Sequence, residues 1–312
     1  MKALVTGGAG FIGSHLIDAL LSRGYEVSCI DNFSSGKREF IEHNLERIEL
    51  YEGDLLRQQD ISKAIDGCDV VFHLAANPDV RIGAINTRTH VDNGILATYN
   101  LLEEMRKKSI NKIIFTSSST VYGEASIIPT PENYGPLIPI SLYGAAKLAA
   151  EALISSYCHT FDMEAIIYRF ANVVGPRSTH GVIYDFIKKL RKNPQELEIL
   201  GDGKQRKSYL YVDDCIDAML FGMEKAKEKV EIFNIGSEDW VEVKEIADIV
   251  SEEMGLKPEY RFTGGIDGRG WKGDVKFMRL DISKLKNMGW KPKHSSREAI
   301  RLTAKWLIDE LK

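Results

Sequence analysis

Cysteine is scarce in this chain. Only Cys29, Cys68, Cys158 and Cys215 occur in 312 residues, and no two form a C-x-x-C pair. The scatter excludes a disulfide framework and leaves reduced, mostly buried thiols. The seven histidines are not paired at ligand spacing either, so no metal site is expected. No apolar run approaches the ~18 residues of a membrane span, and Met1-Lys2 leads into a strand-like run without the layout of a signal peptide. The expectation is a cytoplasmic protein. An excess of one charge is also lacking: 41 Lys+Arg against 45 Asp+Glu give a formal net charge of -4. That balance offers no footing for nucleic acid or an anionic membrane. Internal repeats and low-complexity tracts are absent.

What is present begins with glycine. The run Lys2-Ala3-Leu4-Val5-Thr6 reads as a strand, Gly7-Gly8-Ala9-Gly10-Phe11-Ile12-Gly13 follows, and an apolar helical run comes next. Gly8, Gly10 and Gly13 have the dinucleotide-binding spacing, and Asp31 closes a second strand (Tyr25 to Ile30) at the expected remove of ~20 residues. A side chain in the cluster would hold the backbone away from a pyrophosphate and the helix away from the strand, while the helix N-terminus offers free N–H groups. Asp31 can accept hydrogen bonds from both adenosine ribose hydroxyls and repels a 2′-phosphate, which favours NAD over NADP. Lys37 and Arg38 are the nearby cations that argue the other way.

Strand-like and helix-like runs then alternate: Glu26 to Ile30, Ile48 to Tyr51, a helix from Ile61, Val70 to Leu74, a helix near Asn93 to Lys107, Lys112 to Thr116, a helix from Ser141 to Thr160, and Glu164 to Tyr168. This beat predicts an α/β fold, a Rossmann-type doubly wound parallel sheet with ligands at the carboxyl ends of its strands. From Gly175 the strands shorten (Leu197 to Leu200, Ser208 to Val212, Ile232 to Ile235), which suggests a smaller C-terminal substrate-binding α/β domain. Because Ser208 to Gly236 reads as a return to the first half, the domains are expected to interleave: 1–172 with 208–237, and 173–207 with 238–312. The amphipathic run Arg297 to Leu311 reads as a core helix.

Tyr143-Gly144-Ala145-Ala146-Lys147 lies early in the long helix, where an i, i+4 spacing puts the phenol and ammonium on one face. A neighbouring ammonium and a cationic nicotinamide ring both favour a phenolate, moving tyrosine from a pKa near ~10 towards a useful base. The lysine can also hold the nicotinamide ribose. The hydroxyl run Thr116-Ser117-Ser118-Ser119-Thr120 sits at the end of a strand, on the ligand edge, where a hydroxyl can steady a sugar oxygen.

These motifs, together with Asp54-Leu55, Leu74-Ala75-Ala76 and Tyr168-Arg169-Phe170-Ala171-Asn172-Val173-Val174-Gly175-Pro176, resemble the extended short-chain dehydrogenase/reductase family over the whole chain. Within it the chain is most similar to the epimerases that interconvert UDP-glucose and UDP-galactose. The resemblance implies a catalytic triad of Ser118, Tyr143 and Lys147, with Thr120 as a supporting hydroxyl. It implies an NAD site drawn from Gly7, Gly10, Phe11, Ile12, Gly13, Asp31, Asn32, Asp54, Leu55, Leu74, Ala75, Ala76, Asn93, Tyr143, Lys147 and Tyr168. A UDP-sugar would meet Ser118, Thr120, Tyr143, Asn172, Val182 and Arg206, the last on its diphosphate. It also implies a homodimer joined by the helices near Asn93 to Lys107 and Ser141 to Thr160.

Relatives that eliminate water place an acidic pair directly after the serine, whereas here Ser119-Thr120-Val121 follows and no carboxylate comes before Glu124. An epimerase acting on UDP-GlcNAc or UDP-glucuronate is the nearer alternative. Trp271-Lys272-Gly273-Asp274 departs from the family's Arg-x-Gly-Asp, leaving Arg269 as the candidate replacement for the diphosphate arginine. Met278 stands at the hexose-pocket position and, being flexible, favours neither a small nor a large sugar.

Overall fold

A computed structural model of the chain describes residues 1–311. Its first elements follow the predicted alternation: β1 (Lys2–Thr6), α1 (Phe11–Ser22), β2 (Glu26–Asp31), β3 (Ile48–Glu52), α2 (Gln58–Ala64), β4 (Val70–His73), the short α3 (Arg88–His90), α4 (Ala97–Lys107), β5 (Lys112–Ser118), α5 (Leu142–Phe161) and β6 (Glu164–Phe170). The later elements are shorter: β7 (Asn172–Val174), α6 (Val182–Lys192), β8 (Glu196–Ile199), β9 (Arg206–Lys207), β10 (Tyr209–Tyr211), α7 (Val212–Lys225), β11 (Val230–Ile235), β12 (Val241–Glu242), α8 (Val243–Glu253), β13 (Glu259–Phe262), β14 (Phe277–Met278), α9 (Ser283–Asn287) and α10 (Ser296–Glu310).

Seven strands form one sheet in the order β11-β6-β5-β4-β1-β2-β3. β1 pairs in parallel with both β2 and β4, so the winding reverses at β1. In such sheets the crevice at the carboxyl ends of the strands flanking that reversal is where ligands bind. The inner strands are nearly continuous runs of buried residues, as a sheet covered on both faces requires, while the edge strand β3 is only partly buried.

The chain divides into two compact units. The first comprises Met1–Val121, Ser141–Arg169 and Met219–Phe233, the second Tyr122–Ile140, Phe170–Ala218 and the residues from Asn234 on. In the first, Leu4, Ile30, Ile61, Val71, Leu101, Ile113, Ile154 and Ile167 belong to one apolar core. In the second, α6, α8 and α10 contribute Ile183, Ile187, Leu190, Ile246, Val250, Ile300 and Leu307 to another. α10 starts with a capping box in which the Ser295 hydroxyl accepts from the Glu298 amide and the Glu298 carboxylate accepts from Ser295.

Two boundaries differ usefully from the sequence pattern. β5 runs on through Ser117 and Ser118, placing the serines in a rigid strand rather than in a turn. The helix near Asn93 begins with a wide π turn over Val91–Leu96 before α4 takes a regular course. Gly94 lies in that turn, and a Cβ there would stand 2.8 Å from the Ala146 Cβ, so helix and turn approach to backbone distance. Wide turns of this kind are frequent at functional sites. All four cysteines are buried and free. Among the described residues no helix is long and apolar enough to cross a membrane, and no cluster of ligating side chains could hold a metal ion.

Candidate active site

The loop between β1 and α1 is shaped by what its glycines lack. Gly7 has φ +68°, and a Cβ on Gly13 would stand 2.2 Å from the Gly7 carbonyl oxygen. A side chain at Gly8 would strike Cys29 Sγ at 2.5 Å. Gly10 begins α1 in an extended conformation with no side-chain cap, and the first helical turn holds no acid. The helix N-terminus therefore keeps its donors and partial positive charge for an external anion. Phe11 meets the His15 ring edge-on at 5.9 Å, and Ile12 is half-buried beside it.

At the carboxyl ends of β2 and β3 the acidic residues form a short network. Asp31 accepts from the amides of Ala9 at 2.9 Å and Phe33 at 2.8 Å. Burial raises its pKa, and these two amides pull the other way. Asn32 donates to Asp54 at 3.2 Å, and Asp54 accepts from the Leu56 amide at 2.9 Å. Leu55 is buried beneath. Lys37 and Arg38 are engaged by carboxylates, Glu39 at 2.9 Å and Glu52 at 2.5 Å, which lowers their value as a 2′-phosphate site. After β4, the amides of Leu74 and Ala75 each lie 3.2 Å from Thr6 Oγ1, and Ala76 follows half-buried. Thr6 in turn pairs with His73, which burial holds neutral with a pKa of about 3. Asn93, in the π turn, donates to the Thr89 carbonyl at 2.9 Å.

Ser118, Tyr143 and Lys147 come together, from the end of β5 and the first turns of α5. Ser141 caps that helix by accepting from the Gly144 amide at 3.1 Å. Tyr143 hydrogen-bonds Ser118, and Thr120 donates to the Ser118 hydroxyl at 3.0 Å. Lys147 Nζ lies 5.8 Å from the Tyr143 ring centroid and donates to the Thr116 carbonyl at 2.6 Å. Burial pushes Tyr143 up to about 12, with the Ser118 hydrogen bond opposing, and pulls Lys147 down to about 8, with Glu151 opposing. The ammonium alone does not outweigh desolvation of the phenolate.

Tyr168 is not part of this group. Its ring is wholly enclosed, stacked 5.9 Å from Phe233, and its hydroxyl donates to the Met219 carbonyl at 2.6 Å. A strand buried on both faces sends alternate side chains to opposite sides, and position 168 faces Gly222 of α7, where even a Cβ would stand 2.6 Å from the phenol oxygen.

The second unit holds the remaining candidates. Asn172 on β7 is half-buried, and its side-chain NH₂ has no partner. Val182 opens α6. Arg206 is exposed, paired with Glu242 at 2.6 Å and 5.9 Å over the Trp240 ring. The next residue, Lys207, was not anticipated. It points to the other face of β9, bonds the buried Asp274 at 2.5 Å and lies 5.1 Å over the Trp271 ring. Trp271 Nε1 is buried without a partner. Arg269 donates to the Asp274 carbonyl at 2.5 Å and pairs with Glu124 at 2.7 Å, so Lys207, Arg269, Trp271 and Asp274 form one cluster. Met278 is buried on β14, directly opposite Lys207 in the strand register.

A family model described as the NAD dependent epimerase/dehydratase family matches residues 3–236. A putative UDP-glucose 4-epimerase from Methanocaldococcus jannaschii is 38% identical over 311 residues, 97% of each chain. The solved structure of a UDP-galactose 4-epimerase is similar over 100% of both chains at 46% identity and a TM-score of 0.89. A UDP-glucuronic acid 4-epimerase from Bacillus cereus, solved with UDP-glucuronic acid and NAD, is similar over 100% of both chains at 32% identity and a TM-score of 0.89.

Proposed function

The chain belongs to the NAD dependent epimerase/dehydratase family, and on that premise we propose that it is an NAD-dependent epimerase inverting C4 of a UDP-hexose, with UDP-glucose and UDP-galactose as the favoured pair. The observation that carries the reading is the meeting of Tyr143, Ser118 and Lys147 in the unit that also presents an uncapped, glycine-lined helix N-terminus. The cradle fits a dinucleotide: Gly10 has only the Gly7 carbonyl, at 3.1 Å, near the place of a side chain, and Gly13 lets α1 seat against the loop. Gly7 to Gly13 would face the pyrophosphate, Asp31 the adenosine ribose, Asp54 and Leu55 the adenine, and Lys147 the nicotinamide ribose. Bound NAD supplies a hydride acceptor that can also return the hydride, and a positive ring beside Tyr143.

Tyr143 takes the proton of the sugar 4-hydroxyl and later gives it back, with Ser118 and Thr120 fixing the oxygen that becomes the transient 4-keto group. Lys147 keeps a positive charge close to the phenolate. Inversion requires the sugar to turn between proton removal and return, so anchoring falls to its diphosphate and base. Asn172, Val182, Arg269 and Lys207 are the residues we assign to that anchoring. Ser118 is followed by Ser119-Thr120-Val121, with no acidic pair directly after it to drive elimination of water. UDP-glucuronate is a second sugar to test, because a UDP-glucuronic acid 4-epimerase is similar over 100% of both chains at 32% identity. We further infer a homodimer through α4 and α5: Val91, Leu96, Tyr99, Leu142 and Phe161 are large apolar side chains exposed on or next to those helices.

The test is direct. Purified protein is incubated with UDP-glucose, UDP-galactose, UDP-GlcNAc and UDP-glucuronate in turn, and the sugars are identified by NMR. The expected result is interconversion of UDP-glucose and UDP-galactose without net change in added NADH, and loss of turnover with NAD retained in Tyr143→Phe. Stoichiometric cofactor consumption, or a variant that keeps most of its activity, overturns the reading.

A further inference from the structure

Beside the proposed base lies a buried charged group that this mechanism does not use. Glu151 lies one helical turn beyond Lys147 on the same face of α5. Its Oε1 accepts from the Ser117 hydroxyl at 2.5 Å and from Arg169 Nε at 3.0 Å, and its Oε2 accepts from an Arg169 terminal nitrogen at 2.7 Å. Glu151 is 5% exposed and Arg169 3%. We propose that Glu151, clamped by Arg169, is a positioning residue that keeps Lys147 charged and holds the serine end of β5 against α5. The inference rests on the reading of Tyr143 as the base.

Stability alone does not account for the group. A buried ion pair spends much of its Coulomb attraction on desolvation, and an apolar pair of similar volume commonly stabilises as well or better. What the pair adds is a carboxylate held one helical turn from Lys147 and a hydrogen bond from Ser117, the residue before Ser118 on β5. The groups facing Lys147 are Tyr143 and Glu151 on its own helix, the Thr116 carbonyl and Phe115 ring of β5, His73 of β4 and His90 of α3. Burial holds both histidines towards the neutral form. Arg169, from β6, is matched by the same carboxylate. Among these groups Glu151 alone supplies an anion that opposes loss of the lysine proton. β5 and α5, the two elements that carry Ser118, Tyr143 and Lys147, are thus tied to each other and to β6 at one carboxylate.

The test compares NAD-loaded wild type, Glu151→Gln and the double variant Glu151→Gln/Arg169→Gln. The single variant removes the charge and leaves Arg169 buried without its counter-ion, so it is expected to lose stability. The double variant removes both charges and is expected to recover it. If Glu151 positions Lys147, both variants lose roughly tenfold or more in kcat with NAD retained, and the alkaline limb of their pH–rate profile falls by about one unit. If the pair is only structural, the double variant regains the wild-type rate and profile, and the proposal is overturned. A readout without substrate separates this from the assignment of the reaction: an NMR titration of the labelled lysine side chains in cofactor-free protein, with the Lys147 signal identified by its absence in Lys147→Met, follows the ammonium directly. Its pKa of about 8 should fall by about one unit in the double variant; no movement overturns the proposal, whatever the sugar.

Discussion

Asp31 accepts a hydrogen bond from the Ala9 amide at 2.9 Å, which ties the acidic end of β2 to the glycine loop after β1. The same carboxylate therefore shapes the loop and is the proposed ribose acceptor. The two roles separate by substitution. Asp31→Asn keeps an oxygen for only one of the Ala9 and Phe33 amides and turns its NH₂ on the other, so it should cost about 1–3 kcal/mol of stability, while NAD binds roughly tenfold more weakly because the charge-assisted bonds are lost. Asp31→Ala removes the loop ties as well and should lower the melting temperature and weaken NAD further. Calorimetric NAD titration beside a UDP-sugar titration reads the difference. Equal loss of both ligands in Asp31→Asn would make the residue structural only.

Lys147 gives the pH dependence a definite sign. Burial depresses it from 10.5 to about 8, so between those values the unfolded chain binds more protons at this position than the folded one, and stability rises with pH. Tyr143, raised from 10.0 to about 12, acts at higher pH and in the opposite direction: its contribution is lost as pH climbs through that interval. In cofactor-free protein, the melting temperature of wild type should therefore gain on that of Lys147→Met between about pH 8 and about pH 10.5. Parallel melting curves across that range would mean that Lys147 is solvated. The same variant should be nearly inactive at every pH.

Arg206 and Lys207 are neighbours in sequence with opposite surroundings. Arg206 points outward to Glu242, Lys207 inward to Asp274 and Trp271. Arg206→Ala should therefore change the KM for a UDP-sugar by less than about threefold, consistent with an exposed ion pair worth at most ~1 kcal/mol. Lys207→Met should raise it by more than about tenfold, and it leaves Asp274 buried without its partner, so its stability must be measured alongside. If the Arg206 variant carries the larger KM effect, the anchoring assignment made here is reversed.

Much of the first unit was legible because its signals are local. The glycine loop, the parallel β-α alternation and the Tyr143/Lys147 spacing each depend on a few adjacent residues whose backbone demands are met in only one way. A Cβ at Gly13 cannot coexist with the Gly7 carbonyl at 2.2 Å, and residues four apart on a helix must share a face. The short strands after Gly175 carried no such constraint. On a two-residue strand the inward face is set by register with β12 and β14, and a shift of one position exchanges Arg206 for Lys207.

The sequence by itself determined a dinucleotide-type sheet, an acid at the end of β2 and a phenol beside an ammonium, because helix and strand periodicity and glycine sterics act over a few residues. Only the tertiary structure decided which side of a doubly covered strand Tyr168 faces, which cation of the Arg206-Lys207 pair is buried, and that Glu151 from α5, Arg169 from β6 and Ser117 from β5 meet in one place. Those outcomes depend on burial and on partners many residues away. Burial also works against ionising Tyr143, since the cost of removing a charge from water appears only when the walls around it are known.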